Sequence, residues 1–375
     1  MNAGQQENAV ISQPEGNAIV LCEGAFGTPN GKTAHGLVRK TRRYRVLSVV
    51  DSHRAGGDAG EILDGRPTGI PVLPDLEAAL ANAHARGLPP THLVIGLAPD
   101  GGRLPSELRG AVTTALRAGL NVDSGLHDFL GDDPEMAAAC QSGASIRDVR
   151  KTPPRDQLHF FTGRIQEVRA LRVAILGTDS AIGKRTTAWL LVDALNAAGR
   201  RAELIGTGQT AWLQGARYGI MLDSLVNDFV TGELEHAILS AWDHERPEVI
   251  VVEGQGGLMN PAYPGGFEIL AASQPDCIIL QHAPTRKEYD GIPGFPLDPL
   301  DRQIAVVELL ARKPVIAVTV NHEGLRAEQI PDVCAEIERS TGRLACDVLT
   351  QGAGRLVELL IERIGARPGE TPQPP

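Results

Sequence analysis

The stretch that decides the fold is LRVAILGTDSAIGKRTTAWLLVDAL, which runs from Leu171 to Leu195. Its apolar beginning predicts a buried strand that enters a turn at Gly177, and the helical pattern begins at Lys184. Glycines let backbone N–H groups face an anion, while the helix N-terminus and the lysine ammonium add positive charge. The stretch therefore predicts a phosphate-binding loop over Gly177–Thr187.

The spacing of this loop departs from the common P-loop pattern G-x4-G-K-[ST]. Five residues separate Gly177 from Gly183, and Arg185 stands between the lysine and the first threonine. Thr186 or Thr187 is expected to reach a phosphate or Mg²⁺. A purely structural glycine turn is the alternative. The positions expected to bind the cofactor are Gly177, Thr178, Asp179, Ser180, Ala181, Ile182, Gly183, Lys184, Arg185, Thr186 and Thr187.

Short apolar runs alternate with helical patterns along the rest of the chain, which is typical of parallel sheets covered by helices. A Pro-rich, charged stretch from Arg150 to Gly163 interrupts this rhythm, and 375 residues exceed the size of a usual single core. We therefore predict an α/β protein with two doubly wound parallel-sheet domains, at residues 17–155 and 165–366. Strands are predicted at Ala18–Cys22, Tyr44–Val50, Ile70–Leu73, His92–Leu97, Asn121–Val122, Leu171–Leu176, Ala202–Ile205, Val249–Val252, Cys277–Leu280 and Val315–Val320.

Composition excludes several classes of protein. The net charge of −10 argues against a general nucleic-acid surface, so anions must be held by local features. No stretch approaches the ~20 apolar residues that span a bilayer, and the first residues lack an apolar signal region. The five cysteines form no C-x-x-C pair, which fits a reduced compartment. We expect a cytoplasmic enzyme with no membrane or nucleic-acid partner, assembled as a homo-oligomer.

The second motif is EVIVVEGQGGL, in which a buried strand delivers Glu253 at its carboxyl end. Open α/β sheets bind ligands at this edge. The carboxylate is predicted either to hold Mg²⁺ or to act as a general base toward an amine, and a solvated turn residue is the alternative. The glycines that follow would let a substrate approach the backbone.

Together the two motifs resemble dethiobiotin synthetase and related P-loop enzymes. Those proteins carry a Gly-Thr-Asp turn with five residues before Gly-Lys, and a Glu-Gly-x-Gly-Gly segment. The resemblance implies ATP and Mg²⁺ as ligands and makes Asn321 a candidate adenine contact. If the enzyme depends on Mg²⁺, the metal ligands would be Thr186, Glu253 and Asp228. Residues Leu222–Trp242 are predicted to be largely helical, and Asp223 and Asp228 are five positions apart on that helix, so at most one would face a metal.

A resemblance over nearly the whole chain is to the family that includes the D-glutamate N-acetyltransferases. It rests on DSHRAGGDAGEILDG, LVIGLAPDGGRLP, GLHDFLGDDPE, VEGQGGLMNPAYPGG and LQHAPTR. It implies a Rossmann-like N-terminal domain, a P-loop NTPase-like C-terminal domain, acetyl-CoA as cofactor and a small amino acid, D-glutamate or a related D-amino acid, as substrate. This chain differs from that family at Tyr263-Pro264-Gly265-Gly266 and at Gln281-His282-Ala283, which leaves the acceptor and the reaction open.

Acetyl transfer needs a base for the attacking amine and donors for the thioester oxyanion. The candidate catalytic residues are Glu253, His282 and Lys184, with the amides of 254–257 as oxyanion donors. For His282 a structural role is the alternative. The residues expected to bind the substrate are Arg217, Gln255, Gly256, Tyr263 and Arg286, and for each arginine a surface ion pair is the alternative. The competing function is an Mg²⁺-ATP enzyme that phosphorylates a carboxylate or carbamate.

The N-terminal half contains motifs that imitate a nucleotide site. Gly31-Lys32-Thr33 follows a strand, but the upstream glycines are wrongly spaced for a P-loop. Asp51 ends a strand at the place of a ribose-binding acid, yet no G-x-G-x-x-G precedes it. His127 and Asp128 end another strand and either border a cleft or cap a helix. We predict that this half carries no second phosphate site.

Overall fold

The structure, a computed structural model, describes residues 14–140 and 143–365. The chain divides into two compact units. The first runs to Pro153 and also includes Gly208–Arg217, and the second comprises Pro154–Thr207 and the chain from Tyr218 onward. Segment 208–217 lies within the range predicted for the second domain, but the structure groups it with the first unit.

The first unit is built on a parallel sheet of six strands in the order β3-β2-β1-β4-β5-β6. The central strands are buried on both faces, as their runs of apolar residues predict. The strands are β1 Gly16–Leu21, β2 Tyr44–Val50, β3 Val72–Leu73, β4 His92–Ile95, β5 Asn121–Ser124 and β6 Ile146–Asp148. The helices are α1 Lys32–Arg39, α2 Ala59–Asp64, α3 Leu76–Ala85, α4 Arg109–Arg117 and α5 Pro134–Ala139.

The second unit is built on a parallel sheet of seven strands in the order β13-β12-β11-β7-β10-β8-β9. The strands are β7 Leu171–Gly177, β8 Ala202–Gly206, β9 Tyr218–Gly219, β10 Val249–Glu253, β11 Cys277–His282, β12 Val315–Val320 and β13 Leu344–Cys346. The remaining helices of the described chain are α6 Lys184–Ala197, α7 Gln209–Leu213, α8 Asn227–Glu245, α9 Phe267–Ser273, α10 Leu300–Ala311, α11 Ile330–Thr341, α12 Val348–Gln351 and α13 Gly354–Gly365. Two all-parallel sheets with helices confirm the predicted α/β fold class.

Strand β7 lies between β10 and β11, and this arrangement positions the site. Glu253 is level with Ile175 on β7, and Gln281 of β11 is level with Gly177. Adjacent strands lie about 4.8 Å apart, so the carboxyl ends of the three strands meet at one edge. The sheet therefore brings the phosphate loop and Glu253 together.

Two predicted element boundaries are wrong in ways that affect the site. Strand β11 extends to His282, so this histidine lies within the strand and not after it. The helix predicted over Leu222–Trp242 starts at Asn227, because Leu225 and Val226 have extended backbone angles. Asp223 therefore lies in a short 3-10 turn and Asp228 in the first turn of α8, so the two carboxylates do not share a helix.

Segment 208–217 is anchored in the first unit by an aromatic residue between two cations. The guanidinium carbons of Arg43 and Arg147 lie 3.7 Å and 4.6 Å from the Trp212 ring centroid. Arg43 Nε donates to the Trp212 carbonyl at 2.8 Å, and Gln214 Nε2 donates to the carbonyls of Gly36 at 2.8 Å and Lys40 at 2.9 Å.

Among the described residues no helix is long and apolar enough to cross a membrane.

Candidate functional site

The loop after β7 closes around its own lysine. Ala181 and Gly183 have φ angles of 53° and 101°, in the left-handed region that favours glycine. A Cβ at Gly177 would lie 2.8 Å from Lys184 Cδ, so a larger residue there would displace the lysine side chain. The glycines of the loop are thus needed for its curvature and for the close passage of this side chain.

Lys184 ties the phosphate loop to the glycine segment after β10. Its Nζ donates to the carbonyls of Asp179 and Gly256, each at 2.6 Å. Burial lowers the pKa of Lys184 to about 8, although the charges of Asp179 and Glu253 oppose that change. An ammonium has three N–H donors, so an anion in the loop can take the third and would favour the charged form.

Glu253 is the last residue of β10 and is buried. Its Oε2 accepts a hydrogen bond from the Thr207 amide at 2.8 Å. Burial raises the pKa of Glu253, while the charge of Arg185, the Thr207 amide and the charge of Lys184 act in the opposite direction. A carboxylate with a raised pKa beside two cations is suited to accept a proton near neutral pH.

The glycines after Glu253 serve the contact with the phosphate loop. A Cβ at Gly254 would lie 2.2 Å from the Ile175 carbonyl oxygen, and one at Gly257 would lie 3.2 Å from Asp179 Cα. The Gly257 amide donates to the Tyr263 carbonyl at 3.1 Å, so this amide already has an acceptor. Close packing of two backbones accounts for glycine at these positions, whereas the sequence had suggested room for a substrate. Gln255 is only partly exposed.

The loop threonines differ in their surroundings. Thr187 is buried, and its hydroxyl donates to Gln281 Oε1 at 2.5 Å, where Thr319 Oγ1 also donates at 2.6 Å. Thr186 is partly exposed. Arg185 occupies the position after the lysine where the common pattern has the hydroxyl that holds Mg²⁺. The loop thus presents a cation where related loops present a metal ligand.

The three predicted metal ligands, Thr186, Glu253 and Asp228, do not form an evident cluster. Asp228 is exposed in the first turn of α8, whereas the charge of Asp223 raises the pKa of Glu253. Within residues 14–140 and 143–365, no group of three or more His, Cys, Asp or Glu side chains could hold a metal ion. Asp223 is thus the acidic residue whose charge acts on Glu253, whereas Asp228 is the one preferred from the sequence.

Arg286 pairs with the phosphate loop. Its Nη1 donates to Asp179 Oδ2 and to the Ser180 carbonyl, both at 2.8 Å, and Nη2 donates to Glu323 Oε2 at 2.8 Å. Burial lowers the pKa of Arg286, but the hydrogen bonds to the two carboxylates outweigh this effect and raise the pKa above its ordinary value. The guanidinium predicted to bind a substrate carboxylate holds two carboxylates of the protein, and its contact with a substrate stays a prediction.

His282 and Asn321 both contact the loop. His282 Nδ1 lies 3.0 Å from Thr178 Oγ1. Burial, with the charge of Lys287, lowers the pKa of His282 to about 4, so the imidazole is neutral at neutral pH and is a weak base. Asn321 Nδ2 donates to the Ile182 carbonyl at 2.8 Å, which supports the loop backbone. Of the two candidate bases, Glu253 has a raised pKa, whereas His282 has a lowered one.

The two remaining predicted substrate contacts are in different places. Tyr263 is 48% exposed, and its ring lies against the backbone at Gly291, where a Cβ would be 3.2 Å from Cε2. The Tyr263 amide donates to Asn260 Oδ1 at 2.9 Å. Arg217 ends segment 208–217, which is grouped with the first unit, and its contact with a substrate stays a prediction.

Several motifs of the first unit resemble parts of a nucleotide site in sequence, and their surroundings in the structure are as follows. Lys32 is exposed at the start of α1. Asp51 is buried and accepts from the amides of Phe26 at 2.8 Å and His53 at 2.9 Å. Asp128 Oδ2 accepts from the Leu104 amide at 3.1 Å, and His127 follows Leu126 in the same turn. Asp128 thus stabilises a turn through the Leu104 amide and does not have the helix-capping role considered for it, since Asp133 caps α5.

Four residues of the site were not found by sequence reasoning: Asn260, Gln281 as a buried hydrogen-bond acceptor, Asp290 and Thr207. Asn260 precedes a proline, and such a pair signals a turn, which was a usable hint. Thr207 and Asp290 each donate through a backbone amide and also make a side-chain bond, and no sequence pattern marks these contacts between distant segments.

The fold and this site define an α/β protein with a P-loop domain. Residues 159–357 match the family model described as Domain of unknown function (DUF1611_C) P-loop domain. Residues 52–152 match the Domain of unknown function (DUF1611_N) Rossmann-like domain. The chain therefore belongs to the DUF1611 family, and the predicted resemblance and both domain types are confirmed.

Relatives cover most of the chain. It is 32% identical over 291 residues to a D-glutamate N-acetyltransferase of Tritonibacter scottomollicae, which covers 76% of this chain and 84% of the relative. It is 28% identical over 271 residues to a D-glutamate N-acetyltransferase of Pseudoalteromonas sp. That match covers 70% of this chain and 79% of the relative. The crystal structure of a DUF1611 family protein from Anabaena variabilis superposes with a TM-score of 0.85 at 30% identity, over 92% of this chain and 99% of that one.

Proposed function

We propose that this protein is an N-acetyltransferase that passes the acetyl group of acetyl-CoA to the amino group of D-glutamate or a related small D-amino acid. The names of the two curated relatives support the reaction class. The observation in this chain that carries the proposal is the buried Glu253 at the edge of a phosphate loop, with a raised pKa and with Lys184 and Arg185 as cationic neighbours.

The phosphate loop suits the acyl donor. Coenzyme A carries a pyrophosphate and a 3′-phosphate, and a loop of backbone amides at a helix N-terminus binds such groups without hydrolysing them. Lys184 supplies one positive charge within the loop, and Arg185 supplies a second at the position after it. Two protein cations can balance phosphate charge directly, and this supports binding of the cofactor without a bridging metal.

Glu253 supplies the base for the transfer. It accepts a proton from the attacking amine as the N–C bond to the acetyl carbon forms. The C–S bond then breaks, and the proton passes to the departing thiolate to give coenzyme A. The neutral His282 is a weaker base and supports Thr178 in the loop.

The test is an assay of D-glutamate and other amino acids with acetyl-CoA, in the presence of EDTA and without ATP, with products detected by mass spectrometry. An N-acetylated amino acid is the expected product. No product from any amino acid, together with Mg²⁺-dependent release of ADP from ATP, would overturn the proposal in favour of carboxylate or carbamate phosphorylation.

A further inference from the structure

Asp179 is a fully buried carboxylate that accepts four hydrogen bonds. On Oδ1 the donors are the Ser180 amide at 2.8 Å and Asn260 Nδ2 at 2.7 Å. On Oδ2 they are Arg286 Nη1 at 2.8 Å and the Asp290 amide at 2.9 Å. A buried charge is costly unless it is paired and its lone pairs are used. Asp179 meets that requirement with one cation and three neutral donors.

The four donors come from three separate segments of the second unit. Ser180 belongs to the phosphate loop, Asn260 to the segment after β10, and Arg286 and Asp290 to the segment after β11. Ser180 Oγ also donates to Asp290 Oδ2 at 2.9 Å, which joins the first and third segments a second time. One carboxylate thus connects the loops that follow three adjacent strands.

Asn260 links Asp179 to the loop of residues 257–266. Its Oδ1 accepts from the amides of Ala262 at 2.8 Å and Tyr263 at 2.9 Å. The same loop is joined to its own start, because the Gly257 amide donates to the Tyr263 carbonyl. The half-exposed Tyr263 ring is therefore held at a set distance from the phosphate loop.

We propose that Asp179 is the positioning residue that holds the phosphate loop and loop 257–266 in one geometry, so that the acyl donor and its acceptor are aligned. The inference deepens the proposed function and rests on it for its kinetic readout. Arg286 is the counter-ion of Asp179 in this arrangement and does not contact the substrate. A misplacement of about 1 Å between reacting groups can reduce turnover by about 10²-fold.

The decisive variant is Asp179→Asn. The new amide accepts on one oxygen only and presents an NH₂ group to two of the present donors, so it cannot keep all four bonds. We expect kcat to fall by about 10²-fold and the dissociation constant for CoA to change by less than about fivefold. Sites are counted by titration with CoA, so that partial unfolding does not count as loss of kcat.

Glu323→Gln is the matched control, because it alters the other carboxylate bound to the same guanidinium. Glu323 is 55% exposed, and we expect kcat to stay within about twofold. Arg286→Gln should lower kcat as Asp179→Asn does, and the double variant should lose little more, since the two residues act as a pair. Full additivity of the two losses would overturn the inference.

Hydrogen exchange supplies a readout that does not depend on the reaction. In Asp179→Asn, the amides in segments 257–266 and 286–292 should exchange faster than in the wild type, and in Glu323→Gln they should not. Unchanged exchange and unchanged kcat in Asp179→Asn would overturn the inference. If the wild type acetylates no amino acid, the proposed function fails, and the exchange data alone decide whether Asp179 positions the two loops.

Discussion

Two segments of this chain place a glycine and a lysine after a buried parallel strand, at Gly31-Lys32 and at Gly183-Lys184. In both, the lysine is the first residue of a helix, α1 or α6. Lys32 is exposed, whereas Lys184 is buried and its ammonium meets two backbone carbonyls. The same dipeptide therefore has different surroundings in the two segments.

The difference lies in how the backbone reaches the lysine. Ten residues, 22–31, separate β1 from Lys32, and they include a 3-10 turn that ends at Gly31 with a φ of −83°. Six residues, 178–183, separate β7 from Lys184, and Gly183 has a φ of 101°. The shorter connection curves over the lysine side chain, whereas the longer one leaves it in solvent. The two connections therefore differ in length and in the backbone angle of the glycine directly before the lysine.

The carboxylates at the ends of β2 and β10, Asp51 and Glu253, also differ in their surroundings. Both oxygens of Asp51 accept from backbone amides, so this side chain stabilises its own turn. Glu253 accepts one amide bond on Oε2 and lies beside the charges of Lys184 and Arg185. One carboxylate completes a turn, and the other has the surroundings of a reactive group.

The largest effect is expected for Glu253→Gln. Loss of the base should reduce kcat of acetyl transfer by about 10²–10⁴-fold, while the affinity for CoA stays within about threefold. Steady-state rates and calorimetric titration measure the two quantities. The matched variant Asp51→Asn should keep its kcat and lose about 1 kcal/mol of unfolding free energy, as for other lost caps. A wild-type activity that EDTA removes and Mg²⁺ restores would assign Glu253 to a metal instead.

The next largest effect is expected for Lys184→Ala. Removal of a charge-assisted contact should cost about 1.5–3 kcal/mol, which corresponds to a ~10–150-fold weaker affinity for CoA. Calorimetric titration of a variant shown to be folded by circular dichroism measures it. An unchanged affinity would mean that the loop does not bind the phosphates.

A smaller effect concerns pH. Burial holds the pKa of Lys184 at about 8, and a bound anion favours the ammonium, so ligand binding must take up a proton once the pH exceeds that value. Affinity for CoA should be nearly constant up to pH 7 and about tenfold weaker at pH 9, a range above the phosphate pKa of about 6. The arginine of the Lys184→Arg variant stays charged over this range, so the affinity of that variant for CoA should not decline between pH 7 and pH 9. An equal decline in the arginine variant would assign the titration to another group.

The smallest effect is expected for Lys32→Ala, which tests the other half of the comparison. The exposed lysine should leave the affinity for CoA within about threefold of the wild type. The same titration measures it beside Lys184→Ala. A tenfold loss would show that the first unit holds a second phosphate site.

The sequence was sufficient to predict what depends on local pattern. The strand ending at Gly177, the helix beginning at Lys184 and the strand delivering Glu253 all follow from apolar runs and glycine spacing. It was insufficient for contacts between distant segments. The pairing of Arg286 with Asp179 joins residues 107 positions apart, and an arginine near a turn has the same pattern whether it binds a substrate or the protein.

Short elements were missed for a related reason. Strands β9 and β13 contain two and three residues, too few to show a period, and they form because a neighbouring strand already offers its hydrogen bonds. The grouping of 208–217 with the first unit has no local signal, since its helix α7 has five residues and its partners Arg43 and Arg147 lie far away in the sequence.

That segment affects how the protein is made and how it can be divided. Trp212 and Gln214 complete the first unit, so a ribosome must add them before that unit can finish folding, although most of its residues emerge much earlier. A gene truncated in the 150–163 stretch would encode a fragment in which Arg43 and Arg147 lack the indole between them. Recombination at that stretch would likewise separate the first unit from its segment 208–217.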